Sequence, residues 1–150
     1  MLYKTLEFPK LPEVYNYNEN ILKSNFQDIS PFPDYTDYRL YLIPDKNLEK
    51  ILQPHFSFNI TGKIRCQVIK KNIVIHKDVN REIVYNYVLD TGGDDVSTVW
   101  YYDDMCTEMF KTTIPKNVWH VMDVTKYHTV KGIKDTRISF TIFQSTKELQ

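Results

Sequence analysis

From residue 64 onward the chain is cut into short runs that favour β structure, with hardly any helix signal between them. In order they are IRCQVI, IVIHKD, EIVYNYVLD, STVWYY, VWHVMDV, HTV and RISFTIF. Val, Ile, Tyr and Thr dominate these runs, and such residues fit a pleated, half-buried surface. The breaks hold turn residues: Gly92-Gly93 followed by Asp94-Asp95, where positive φ is required, and Gly132 before the last run. Six to eight strands at this spacing predict a mainly β protein with antiparallel pairing, as a sandwich or barrel, and a jelly roll fits best.

The first part of the chain has another character. Residues 1–44 contain five of the seven prolines, with many Tyr and Asn and no helical or strand periodicity. This predicts an extended, partly irregular segment wrapped on the core. One short helix follows over residues 45–53: Asp45 is placed as its N-cap, Leu48, Ile51 and Leu52 form an apolar stripe, and Pro54 ends it. No repeat or flexible linker divides the 150 residues, so a single domain is expected, with its core over about 64–143 and an N-terminal extension over 1–60.

Charge and cysteine content narrow the function. Lys plus Arg equals Asp plus Glu at 19 each, and the longest basic cluster is Lys70-Lys71. Tracking a phosphate backbone needs several cations on one surface, so no strong nucleic-acid binding is expected. No apolar run reaches the roughly 18 residues of a membrane span, and MLYKTLEFPK lacks the pattern of a secretion signal. The expectation is a soluble protein of the cytoplasm, the host's if the chain is viral. Cys66 and Cys106 lie forty positions apart without a CxxC, so both are expected as free thiols.

The chemistry-bearing residues are few enough to compare. His76 and Asp78 are two apart, and in a strand such side chains leave one face together. Of the other three histidines, His128 opens a predicted strand fifty positions after Asp78. Two imidazoles and a carboxylate are the donor set that holds iron while leaving positions open. Arg137 follows nine residues later, with Ser139 on the same strand face. Only four Arg stand against fifteen Lys, and Arg alone offers a planar fork for a carboxylate. In EIVYNYVLD, Asn86 shares a face with Val84 and Val88 and needs a partner if buried. Arg81, just beyond the His-x-Asp pair, is placed to contact a substrate. His120, beside Trp119, and His55 read as structural, and the Asp pairs at 94–95 and 103–104 read as solvated turns.

The order His76-x-Asp78, His128, Arg137-x-Ser139 resembles the motif set of the Fe(II)- and 2-oxoglutarate-dependent oxygenases, whose fold is a double-stranded β-helix of the cupin-like, jelly-roll type. The likeness covers about residues 64–143, and the short chain is similar to the compact members found in phages and bacteria. It implies that His76, Asp78 and His128 bind Fe(II). It implies too that Arg137 and Ser139 hold the distal carboxylate of 2-oxoglutarate, with Asn86 near that cosubstrate and Arg81 near the substrate. O2 would be the oxidant, succinate and CO2 the products of the cosubstrate, and hydroxylation or demethylation the result.

Two other readings stay open from sequence. One is a non-enzymatic jelly-roll binding or viral assembly protein with a vacant or structural metal site, suggested by the small size. The other is a cupin-like enzyme that uses metal without 2-oxoglutarate. The substrate, whether a small molecule or a protein side chain, is not named by the residues. An aromatic arm able to cover a neighbour's sheet edge leaves an oligomer open as well.

Overall fold

In a computed structural model, residues 1–149 are described. Their strands in chain order are β1 (Tyr3–Thr5), β2 (Gln27–Asp28), β3 (Tyr38–Leu42), β4 (Arg65–Ile69), β5 (Ile83–Asp90), β6 (Ser97–Tyr101), β7 (Glu108–Thr112), β8 (Trp119–Asp123), β9 (Tyr127–Lys131) and β10 (Arg137–Ile142). Two short helices, α1 (Glu19–Asn25) and α2 (Lys46–Leu52), precede β4. The strands form two antiparallel sheets, one ordered β1-β8-β5-β10-β4-β3-β2 and the other β7-β6-β9. The mainly β jelly roll expected from the sequence is the fold.

The helices start where side chains can cap them. Asn18 accepts the Ile21 N–H at the head of α1, and Asp45 accepts the Leu48 N–H at the head of α2. Leu48 and Leu52 of α2 and Leu22 of α1 have no exposed surface. The N-terminal segment is more regular than its composition suggests, because β1 extends the large sheet beyond β8 while β3 pairs with β4.

The placement of the apolar core sets up the site. The larger cluster, including Leu22, Leu48, Leu52, Cys66, Trp119 and Phe140, lies on the outer face of the seven-stranded sheet beneath the N-terminal segment. A smaller one, Val84, Val88, Trp100, Ile114, Met122 and Val124, fills part of the space between the sheets. The register aligns Ser139 with Gln67 and Val88, Thr141 with Asn86, and Asn86 with His120. These side chains therefore share the inner face with Val88. A sandwich usually keeps its apolar core between its sheets; here the largest apolar cluster is outside, and the inner face has polar residues to spare.

One expected strand is absent. Residues 73–78 make only a single bridge, His76 with His128, and Val74 is 81% exposed. The segment is held instead by discrete bonds: the His76 and His128 backbones exchange N–H donors at 3.1 and 2.9 Å, and the Thr129 hydroxyl donates to the Ile73 carbonyl. It is a pinned loop, so His76 and Asp78 are brought together by the loop's path rather than by a pleat.

Candidate metal centre

His128 comes from β9, where it aligns with Trp100 of β6 and so faces the interior between the sheets. His76 reaches the same point across the bridge, its ring centroid 4.5 Å from that of His128. The backbone N–H of Asp78 donates to the Val124 carbonyl at 3.0 Å, just past β8. Through these three anchors, ligand atoms of His76, Asp78 and His128 lie within 4.8 Å of one another. Among the described residues no other group of three His, Cys, Asp or Glu does so.

The hydrogen bonds decide which nitrogens meet. Nδ1 of His76 lies 2.8 Å from the Val74 carbonyl, and Nδ1 of His128 lies 2.8 Å from that of Lys126. A carbonyl only accepts, so in each ring Nδ1 carries the proton and the neutral ring turns the lone pair of Nε2 outward. Those lone pairs converge on one carboxylate oxygen, Asp78 Oδ1, at 3.1 Å from His76 and 3.3 Å from His128. Three acceptors facing each other repel unless a cation sits among them, either a proton or a metal ion. The triad therefore fits a divalent metal, with backbone carbonyls orienting both imidazoles as metal sites require.

Without a metal the proton is the cation. The hydrogen bond to Asp78 holds the His76 imidazolium above its ordinary range, against the cost of burial. For Asp78, burial alone would raise the carboxyl. Hydrogen bonds from His128 and His76, with the Arg81 charge, outweigh it and hold the group well below the usual carboxylate range. Arg81 donates from Nε to the second oxygen, Oδ2, at 2.6 Å. The structure thus places Arg81 on the Asp78 carboxylate.

Arg137 and Ser139 are buried at the start of β10 on the inner face. One Arg137 Nη1–H donates to the Thr91 carbonyl at 3.1 Å, and burial lowers the guanidinium to about 10, opposed by the Asp90 charge. Gly92 makes room beside it: its φ is +83°, and a Cβ there would lie 3.0 Å from Cβ of Arg137. Asn86 is also buried on this face. Among the described residues its amide nitrogen has only the Met122 sulfur, at 3.5 Å, and its oxygen has no hydrogen-bond partner. A buried unpaired acceptor is costly. His120, two strands from β10, is buried against Tyr3 and pushed down to about 4 by burial, so it stands neutral in the wall.

Three neighbours were not foreseen. Phe143 carries the Arg81 guanidinium at 4.5 Å and that of Arg65 at 4.8 Å from its ring centroid. Tyr38 aligns with Ile69, which aligns with Arg137, and its hydroxyl, raised chiefly by burial, feels the charges of Arg81, Asp78 and Arg65. Arg65 was one of only four arginines, the signal that singled out Arg137. Tyr38 belongs to a segment without periodicity, and only the pairing of β3 with β4 brings it in.

No family profile matches the chain, and no curated protein matches it by sequence. Solved structures do resemble it. A 2OG-Fe(II) oxygenase family oxidoreductase from Burkholderia pseudomallei superposes with a TM-score of 0.55 at 12% identity, over 85% of this chain and 76% of that one. A prolyl hydroxylase from Trichoplax adhaerens, in complex with a hypoxia inducible factor peptide, superposes with a TM-score of 0.50 at 10% identity, over 74% of this chain and 64% of that one. Vicilin from hazelnut (Corylus avellana) gives 0.48 at 11% identity, and this chain spans 33% of it. The likeness to the first two, at this identity, shows the fold alone; the chemistry rests on the side chains.

Proposed function

We propose that the protein is a metal-dependent oxygenase that binds Fe(II) through His76, Asp78 and His128 and uses 2-oxoglutarate and O2 to hydroxylate, or demethylate through hydroxylation, an organic substrate. The observation that carries this reading is the convergence of two oriented Nε2 lone pairs and one carboxylate oxygen, which leaves half of an octahedron for other ligands. When bound, iron and 2-oxoglutarate would activate O2, the oxidant: the keto acid would be decarboxylated to succinate and CO2, with one oxygen atom of O2 going to succinate and the other into the substrate C–H bond.

In this reading the chain's own residues bind and orient. Arg137 holds the distal carboxylate of the cosubstrate; its fork has five N–H donors, of which Thr91 takes one. A cation that is buried gains more from such a partner than a solvated one does. Ser139 adds a hydroxyl two residues along the same face, and Asn86 adds an unpaired acceptor for a donor or a bridging water. The two exchanged N–H bonds between His76 and His128 keep the ligands from separating when the proton among them is displaced.

Anaerobic addition of Fe(II) and 2-oxoglutarate to the purified protein tests the proposal. Wild type is expected to develop the weak visible charge-transfer band of an iron-bound keto acid, and Asp78→Ala to develop none. A band that survives in Asp78→Ala, or wild type without one, would overturn the reading.

A further inference from the structure

Asp78 shows its two carboxylate oxygens to different neighbours. Oδ1 faces the Nε2 atoms of His76 and His128 at 3.1 and 3.3 Å, whereas Oδ2 takes the Nε–H of Arg81 at 2.6 Å. That last distance is shorter than the usual range for a charge-assisted N–H···O hydrogen bond. The donor is not loose. Its guanidinium lies over the Phe143 ring, 4.5 Å from the centroid, and the residue before it, Asn80, is fixed at φ +64°. The Asn80 carbonyl accepts the Thr146 N–H at 2.7 Å, so the chain just beyond β10 ties down the turn that delivers Arg81.

A carboxylate whose second oxygen is engaged by a fixed cation cannot present both oxygens to an ion on its other side. We infer that Arg81 is a positioning residue for the metal: it confines Asp78 to ligation through Oδ1 and so keeps open a coordination position that a two-oxygen carboxylate would fill. With three protein donors, a six-coordinate ion retains about three positions for water or small ligands; without the restraint it retains about two. Room for a chelating cosubstrate together with a third small ligand depends on that difference. The inference rests on the metal reading above, and it assigns Arg81 a task at the carboxylate rather than the substrate contact expected from its place in the sequence.

The test counts waters instead of turnover. Mn(II) suits it, being content with oxygen and imidazole donors, and its inner-sphere waters are read from water-proton relaxation. Affinity alone does not decide, since removing Arg81 takes away a repelling charge as well as an orienting bond. Wild type is expected to hold Mn(II) with about three exchangeable waters. R81M, whose thioether still covers Phe143, should bind Mn(II) with about one fewer, and R81K, which restores a cationic donor, should return the count to the wild-type value. A purely structural Arg81 would lower the thermal stability of the metal-free protein and leave the water count unchanged. That result, or a failure of R81K to restore the count, overturns the inference; R81Q takes the same measurement if R81M does not fold. Wild type that binds no Mn(II) defeats the metal reading itself, an outcome distinct from wild type and R81M binding with equal counts.

Discussion

His120 separates the residue-scale electrostatics of this protein into windows. Burial pushes its imidazole down to about 4, while an unfolded histidine titrates near 6.5. Below about 6.5 the unfolded chain therefore takes a proton that the folded chain refuses, and stability falls as pH drops, levelling off near the folded value. His76 does not interfere, because a group raised by folding makes its full contribution below about 6.5 and loses it only at higher pH. Asp78, held low, keeps its contribution until the medium is more acidic than about 4. Urea unfolding at pH 6.5 and 4.5 should thus show wild type losing about 2–3 kcal/mol that His120→Gln does not lose. Equal losses in the two proteins would mean that His120 is not held neutral by its surroundings.

Elements differ in how plainly the sequence announces them, and the reason is where their partners lie. β5, β8 and β10 alternate or run apolar because both their neighbours and their burial are settled within the sheet, and α2 carries its own cap and stripe. β3 and β1 have no such local signature; each exists by pairing with a strand far along the chain. β7, with Phe110 half-exposed and Glu108 and Lys111 outward, presents too little apolar surface to be read as a strand. Conversely IVIHKD has the composition of a strand but spends it on a loop, with Val74 in water. The same-strand-face argument for His76 and Asp78 fails with that strand, yet the loop still brings them together with His128; the Arg81 to Asp78 pair was not expected, since it forms only when the chain turns at Asn80. The outer cover has a measurable weight. Leu48 is on the wholly buried side of α2, so Leu48→Ala should cost about 2–5 kcal/mol in urea unfolding. A cost below about 1 kcal/mol would show that the cover is not packed on the sheet.

At the scale of the molecule, the larger apolar cluster lies outside the large sheet, while between the sheets a smaller one shares the space with a polar face, so the interior is only partly filled with hydrocarbon. What enters the interior should then stabilise the whole by mass action. Mn(II) at about a hundred times its dissociation constant adds about 2.7 kcal/mol to a protein that binds it only when folded, which for a chain of this size is a rise of about 5–10 °C in Tm. Asp78→Ala should show no rise. On the proposed function, in which the keto acid chelates the ion and Arg137 holds its far carboxylate, 2-oxoglutarate should add a second increment when Mn(II) is present. Arg137→Leu is expected to keep the first increment and lose the second, separating the cosubstrate anchor from the metal. If Arg137→Leu retains both, the dicarboxylate is held elsewhere on the inner face, and Arg65, which shares the Phe143 ring with Arg81, is the residue to change next.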